Sequence, residues 1–137
     1  MRASTVLVLV ASALMASCAT RPDQQQRELL VGQWQHTVGV FGDKRTSAWA
    51  FSNDGSFLLT GYSQARGMRA GYVPEGGVWT LNGGTLELRY LPVAQTDGAP
   101  PLARTEIRRI VKLTAEEFVS ADAKYGIELA YRRVAPQ

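Results

Sequence analysis

Residues Thr46–Tyr62 read TSAWAFS, then NDG, then SFLLTGY, and they decide the fold class. The two flanks alternate apolar and small or polar side chains in the manner of a pleated strand with one buried face. Between them, Asn53-Asp54-Gly55 tolerates the positive φ that a tight hairpin turn demands. The stretch therefore reads as two antiparallel strands, Thr46–Ser52 and Ser56–Tyr62.

Working outward, the same pattern recurs on both sides. Upstream, Gly32–Val40 places Trp34, His36, Val38 and Val40 on one face, and Phe41-Gly42-Asp43-Lys44 turns the chain. Downstream, Ser63–Arg69 is a polar, basic loop. Ala70–Leu81 is a fourth strand, interrupted at Pro74-Glu75-Gly76-Gly77. Asn82-Gly83-Gly84 is another hairpin signal, and Thr85–Leu91 puts Leu86, Leu88 and Tyr90 together. Pro92–Ala103 holds too much Pro and Gly for regular structure. Arg104–Leu113, Phe118–Asp122 and Ile127–Val134 complete the chain. From Gly32 onward no long stretch repeats with the roughly 3.6-residue period of a helix. The fold class is all-β: a single antiparallel barrel of roughly eight strands, with a two-sheet β-sandwich as the alternative.

The N-terminus has a different character. Met1-Arg2-Ala3-Ser4-Thr5 precedes an apolar run from Val6 to Leu14, which exits through Met15-Ala16-Ser17-Cys18. A cationic start, about nine apolar residues and a small-residue exit make a secretory signal. The run is shorter than the ~20 residues of a spanning helix. Cys18 is the chain's single cysteine. Met15-Ala16-Ser17-Cys18 resembles a bacterial lipobox, which implies cleavage before Cys18 and transfer to its sulfur, as a thioether, of a diacylglyceryl group with palmitate-type chains. The alternative is an ordinary signal cut after Ala13 or Ala19. Ala19 follows the cysteine in place of the aspartate that commonly retains such proteins at the inner membrane. The resemblance thus implies the bacterial outer membrane, facing the periplasm. The expected organisation is a signal peptide at 1–17, lipidated Cys18 with a polar tether at 18–31, and a barrel domain at 32–135. The tether, ATRPDQQQR over Ala19–Arg27, merges into a turn or two of helix through Glu28–Val31.

Composition narrows the function. The 137 residues carry 15 Lys+Arg against 12 Asp+Glu, one His and one Cys. That is one domain. A single cysteine excludes a disulfide framework, a multi-cysteine zinc site and a redox pair. A net charge of +3, scattered along the chain, does not point to nucleic acid. No Gly-x-Ser-x-Gly element, metal-type His/Glu spacing, calcium loop or nucleotide fingerprint is present. No cofactor, metal site or catalytic group is expected. Asp54 and Asp97 each precede a glycine and read as turn residues.

Gly32-Gln33-Trp34, Phe51-Ser52-Asn53-Asp54-Gly55-Ser56-Phe57, Gly77-Val78-Trp79, Asn82-Gly83-Gly84-Thr85-Leu86 and Tyr131-Arg132-Arg133 occur in that order. The set is similar to the small lipocalin-like barrels of bacterial envelope lipoproteins and covers roughly Leu29 to Val134. The resemblance implies that Trp34 packs beneath an arginine of the last strand, Arg132 or Arg133, closing one end of the barrel. The longer lipocalin motifs and their disulfide are missing.

One strand breaks its own pattern. In RTEIRRIVKL (Arg104–Leu113), Arg109 shares a face with Ile107, Val111 and Leu113. If that face lines the lumen, an arginine enters an apolar cavity, where an unpaired charge costs several kcal/mol. Pairing with a ligand carboxylate removes that penalty. Arg109 with Tyr90, Tyr131 and His36 is the candidate polar end of a ligand pocket. The competing placement has a bulge turn Arg109 outward and Ile110 inward. Arg66 and Arg69, with Tyr62 and Tyr72, form a second candidate surface. The expected protein is a lipid-anchored envelope binder holding a small apolar or acidic ligand. The alternative is a protein-interaction or enzyme-inhibitor module with a filled barrel.

Overall fold

The computed structural model describes residues 22–65, 68–71, 74–92 and 103–135. The signal segment, Cys18, Arg66, Tyr72 and the 93–102 part of the long loop, with Asp97, lie outside the described residues. Of Arg69 only the backbone is described. A helix, α1 (Pro22–Leu30), precedes β1 (Gly32–Val40), β2 (Asp43–Phe51), β3 (Ser56–Ala65), β4 (Met68–Gly71), β5 (Glu75–Asn82), β6 (Thr85–Tyr90), β7 (Arg104–Leu113), β8 (Glu117–Asp122) and β9 (Glu128–Arg133).

Every pairing is antiparallel. β1, β2 and β3 pair in turn, β3 pairs with β5, β5 through β9 pair in turn and β9 returns to β1, so eight strands close into a barrel with β4 as an extra strand on β3. The register of the Thr46–Tyr62 hairpin runs from Phe51↔Phe57 to Lys44↔Gln64. The other side of β3 is shared: Ser56–Leu59 faces β5 and Tyr62–Ala65 faces β4. The strand expected at Ala70–Leu81 is thus two short ones on one neighbour. Ser63–Ala65 and Met68–Arg69, expected as loop, belong to strands. A single closed sheet replaces the sandwich alternative.

Packing explains the closure. Trp34, Trp49, Phe51, Phe57, Trp79, Leu86, Leu88, Tyr90, Phe118 and Tyr131 are buried in one cluster. Their rings touch in series: Phe51–Trp79 at 5.6 Å, Trp34–Phe118 at 5.7 Å, Phe57–Tyr90 at 5.0 Å and Phe118–Tyr131 at 5.6 Å between centroids. Period-two alternation on eight strands delivers these side chains to one interior. At Gly77 a side chain would collide with the Arg89 carbonyl of the neighbouring strand, so the approach of β5 to β6 requires glycine there.

The supposed tether from Pro22 onward is α1, seated across one end of the barrel. Leu30 is fully buried, and its carbonyl accepts a hydrogen bond from Trp34 Nε1 at 2.8 Å. Arg133 stands over the Trp34 ring at 4.2 Å. It donates to the carbonyls of Val31 (3.0 Å), Ala115 (2.5 Å) and Leu29. A cation thereby satisfies carbonyls that a helix C-terminus leaves unpaired. Gly32, at φ +137°, leaves the space the guanidinium occupies. Of the two candidate arginines the cover is Arg133; Arg132 is exposed and sits opposite Gln35 in the β1–β9 ladder. Arg27 over Trp79 (4.3 Å) and Asp23 accepting from Gly83 N–H (3.0 Å) fix the rest of α1 to the same end.

Candidate functional site

Of the two placements the sequence leaves open for Arg109, the structure takes the outward one, and Arg108 stands inside. Arg108 is 6% exposed, whereas Ile107 and Val111 are 45% and 46% exposed and Arg109 lies in solvent with them. The inward residues of β7 are Glu106, Arg108 and Ile110, and a register shift between Ile110 and Lys112 then brings Leu113 inward. This is the bulged placement, in which Ile110 faces the core. The physical reason is pairing. Arg108 Nη1 meets Glu106 Oε1 at 2.6 Å, so two opposite charges two residues apart enter together. Arg109 forms no ion pair with any described residue and keeps its hydration outside.

The interior pair is well supplied with partners. Arg108 Nε donates to Ser120 Oγ at 2.7 Å and Nη2 to the Ser120 carbonyl at 3.3 Å. Glu106 Oε2 accepts the Tyr90 hydroxyl at 3.0 Å. Arg104 lies over the Tyr90 ring at 3.8 Å and is itself bound to Glu75 at 3.0 Å. Burial, with the Glu106 charge added, pushes the Tyr90 hydroxyl well above the ordinary phenol range. Burial likewise raises Tyr131. Each nitrogen of Arg108 and each oxygen of Glu106 thus has a protein partner, and the network neutralises itself without a ligand's carboxylate.

The four candidate pocket residues do not converge. Tyr90 and Tyr131 are buried in the interior with the Glu106–Arg108 pair. His36 lies where β1 and β9 part: its Nδ1 donates to the Ala130 carbonyl at 2.7 Å, and its ring packs 5.3 Å from that of Tyr131. The ladder stops at Gln35↔Arg132. Beyond it a cleft of about 490 Å³ opens beside His36, Thr37, Ala130 and Arg132. Arg109 lines a separate outer concavity of about 410 Å³ with Thr85, Ile107, Ala121 and Asp122. Glu106, Arg108 and Ser120 were missed. The available signal was the Glu-x-Arg spacing, which puts opposite charges on one face of a strand.

Asp54 is a turn residue as expected. It accepts from Ser56 N–H at 2.8 Å and Ser56 Oγ at 2.6 Å, and these bonds hold its carboxyl below the usual range. Among the described residues no three His, Cys, Asp or Glu side chains converge as metal ligands, and no helix is long and apolar enough to cross a membrane. A scan against protein-family models finds no match, and comparison with curated proteins finds no similar sequence.

Proposed function

We propose that this chain is a lipid-anchored envelope barrel of lipocalin-like type that acts by binding another protein at its exterior, without catalysis. The observation that carries this reading is the occupied interior. Three tryptophans, two phenylalanines from the central hairpin and two tyrosines fill the barrel, and the one arginine buried among the described residues is matched by Glu106 and Ser120. A carrier needs an apolar cavity of roughly 300 Å³ or more; the two clefts described above lie at the β1–β9 seam and on the outer wall. The anchor is the acyl group that the lipobox resemblance implies at Cys18, and Ala19 after it favours the periplasmic side of the outer membrane.

Native mass spectrometry of the full chain purified from its own envelope tests this. The expected result is an acylated polypeptide beginning at Cys18, accompanied by a protein partner. A small molecule released only when the barrel unfolds would overturn the reading in favour of the ligand carrier. Replacing Cys18→Ser is expected to move the protein from the membrane fraction to the soluble one.

A further inference from the structure

We infer that the tip of the β1–β2 hairpin is the docking element of this barrel, presenting Phe41 as an aromatic anchor to an acidic protein surface. The inference rests on the exterior-binding reading and on the Cys18 anchor.

The tip breaks two rules at once. Val40 pairs with Asp43, leaving Phe41-Gly42 as a two-residue loop with φ of 49° and 86°. Positive φ at both centres is the geometry that favours Asn-Gly. Phe41 is the one non-glycine residue with positive φ among the described residues, and a bulky side chain is disfavoured there. Its ring is also fully exposed. A strained backbone that holds an aromatic ring in water gives the isolated chain no return, and such outliers cluster at recognition sites.

The surroundings specify the partner. Val38, on the same strand, is 42% exposed, and β1 beyond Gln35 has no β9 neighbour, so its far edge is open to approach. Opposite Gly39 and Val38 in the β2 register stand Lys44 and Arg45, both exposed and neither ion-paired with a described residue. Asp43, half-buried at the turn, is the sole acidic residue of the hairpin. An aromatic anchor beside two unpaired cations fits an acidic surface with a ring-sized pocket. Two copies of this tip would oppose like charges.

Chain geometry separates the tip from the bilayer. Cys18 and Pro22 can be at most ~14 Å apart, so α1 and its end of the barrel lie next to the anchor. The β1 strand leaves that end and runs nine residues before Phe41, a rise of roughly 30 Å. The tip therefore faces away from the membrane that holds the protein.

The test uses the full lipidated chain with a photo-crosslinking residue at Phe41, or as control at exposed Glu28 on α1. Adducts from position 41 and not from 28 are expected, to a different protein and through a segment rich in Asp and Glu. Phe41→Asn relieves the turn, so its melting temperature should hold or rise while affinity for that protein falls at least ~10-fold. Lys44→Glu with Arg45→Glu should slow association and remove its salt dependence. Adducts only to phospholipid, only to a second copy, or none would overturn the inference. A partner whose affinity ignores Phe41→Asn would overturn it too, while leaving exterior binding intact.

Discussion

Arg108 and Arg109 are neighbours in sequence with opposite fates, and they make a sharp test of the interior network. Arg108→Ala leaves Glu106 and Ser120 without their shared partner and should cost about 3 kcal/mol or more. Arg109→Ala should change stability by less than about 0.5 kcal/mol. Urea denaturation midpoints distinguish the two. The tyrosines give a pH signature. Their hydroxyls titrate higher in the folded barrel than in the open chain. Below about pH 10 both states keep the proton, so their contribution is flat; above it the unfolded chain ionises first, and stability falls as pH rises. Tyr131→Phe should flatten that alkaline decline in a pH series of unfolding midpoints. The conflict of charge with alternation on this strand was legible, and so was the placement with Arg109 outside and Ile110 inside; the arginine that enters the barrel is another. Its identity was not legible, because Ile107 and Val111 look like core residues and lie half in water, while the Glu106–Arg108 pair cancels its own charge.

Among the elements, the strands were legible because alternation and Gly-containing turns are local signals. The Asn53–Gly55 and Asn82–Gly84 turns fall where the sequence places them. Pro74-Glu75-Gly76-Gly77 signals the break between β4 and β5, but which neighbour each piece joins and where the β7 bulge falls depend on other strands. The helix α1 was nearly invisible for the same reason. Its QQQ run carries no apolar stripe, and its C-terminal carbonyls are held by Arg133, at a sequence distance of 102 positions from Val31. Arg133→Lys loses the planar fork that reaches three carbonyls and should destabilise the barrel by about 3 kcal/mol. Arg132→Lys should be close to neutral. Thermal melts of the pair check the difference, and Leu30→Ala should lower the midpoint as well, by the equivalent of about 2–5 kcal/mol.

In the whole molecule the joints of the cylinder are unequal. The β1–β2 ladder runs from Gly32↔Phe51 to Val40↔Asp43, whereas β1 meets β9 only at Trp34↔Arg133 and Gln35↔Arg132, with one further bond from Val134 N–H to Gln33 O at 2.9 Å. Backbone amides at that junction are expected to exchange with deuterium sooner than those between β2 and β3, since local opening starts where pairing is sparse. Uniform protection around the ring would contradict this. The junction also joins the first strand made to the last. A polypeptide emerging in synthesis order pairs β1 with β2 early but has to wait with the other edge of β1 unmated until β9 emerges. Throughout that wait, two raw borders are available to any passing chain. A chain that stops before β9 therefore leaves an unclosed ribbon prone to clumping, so completion of the barrel waits on that one strand.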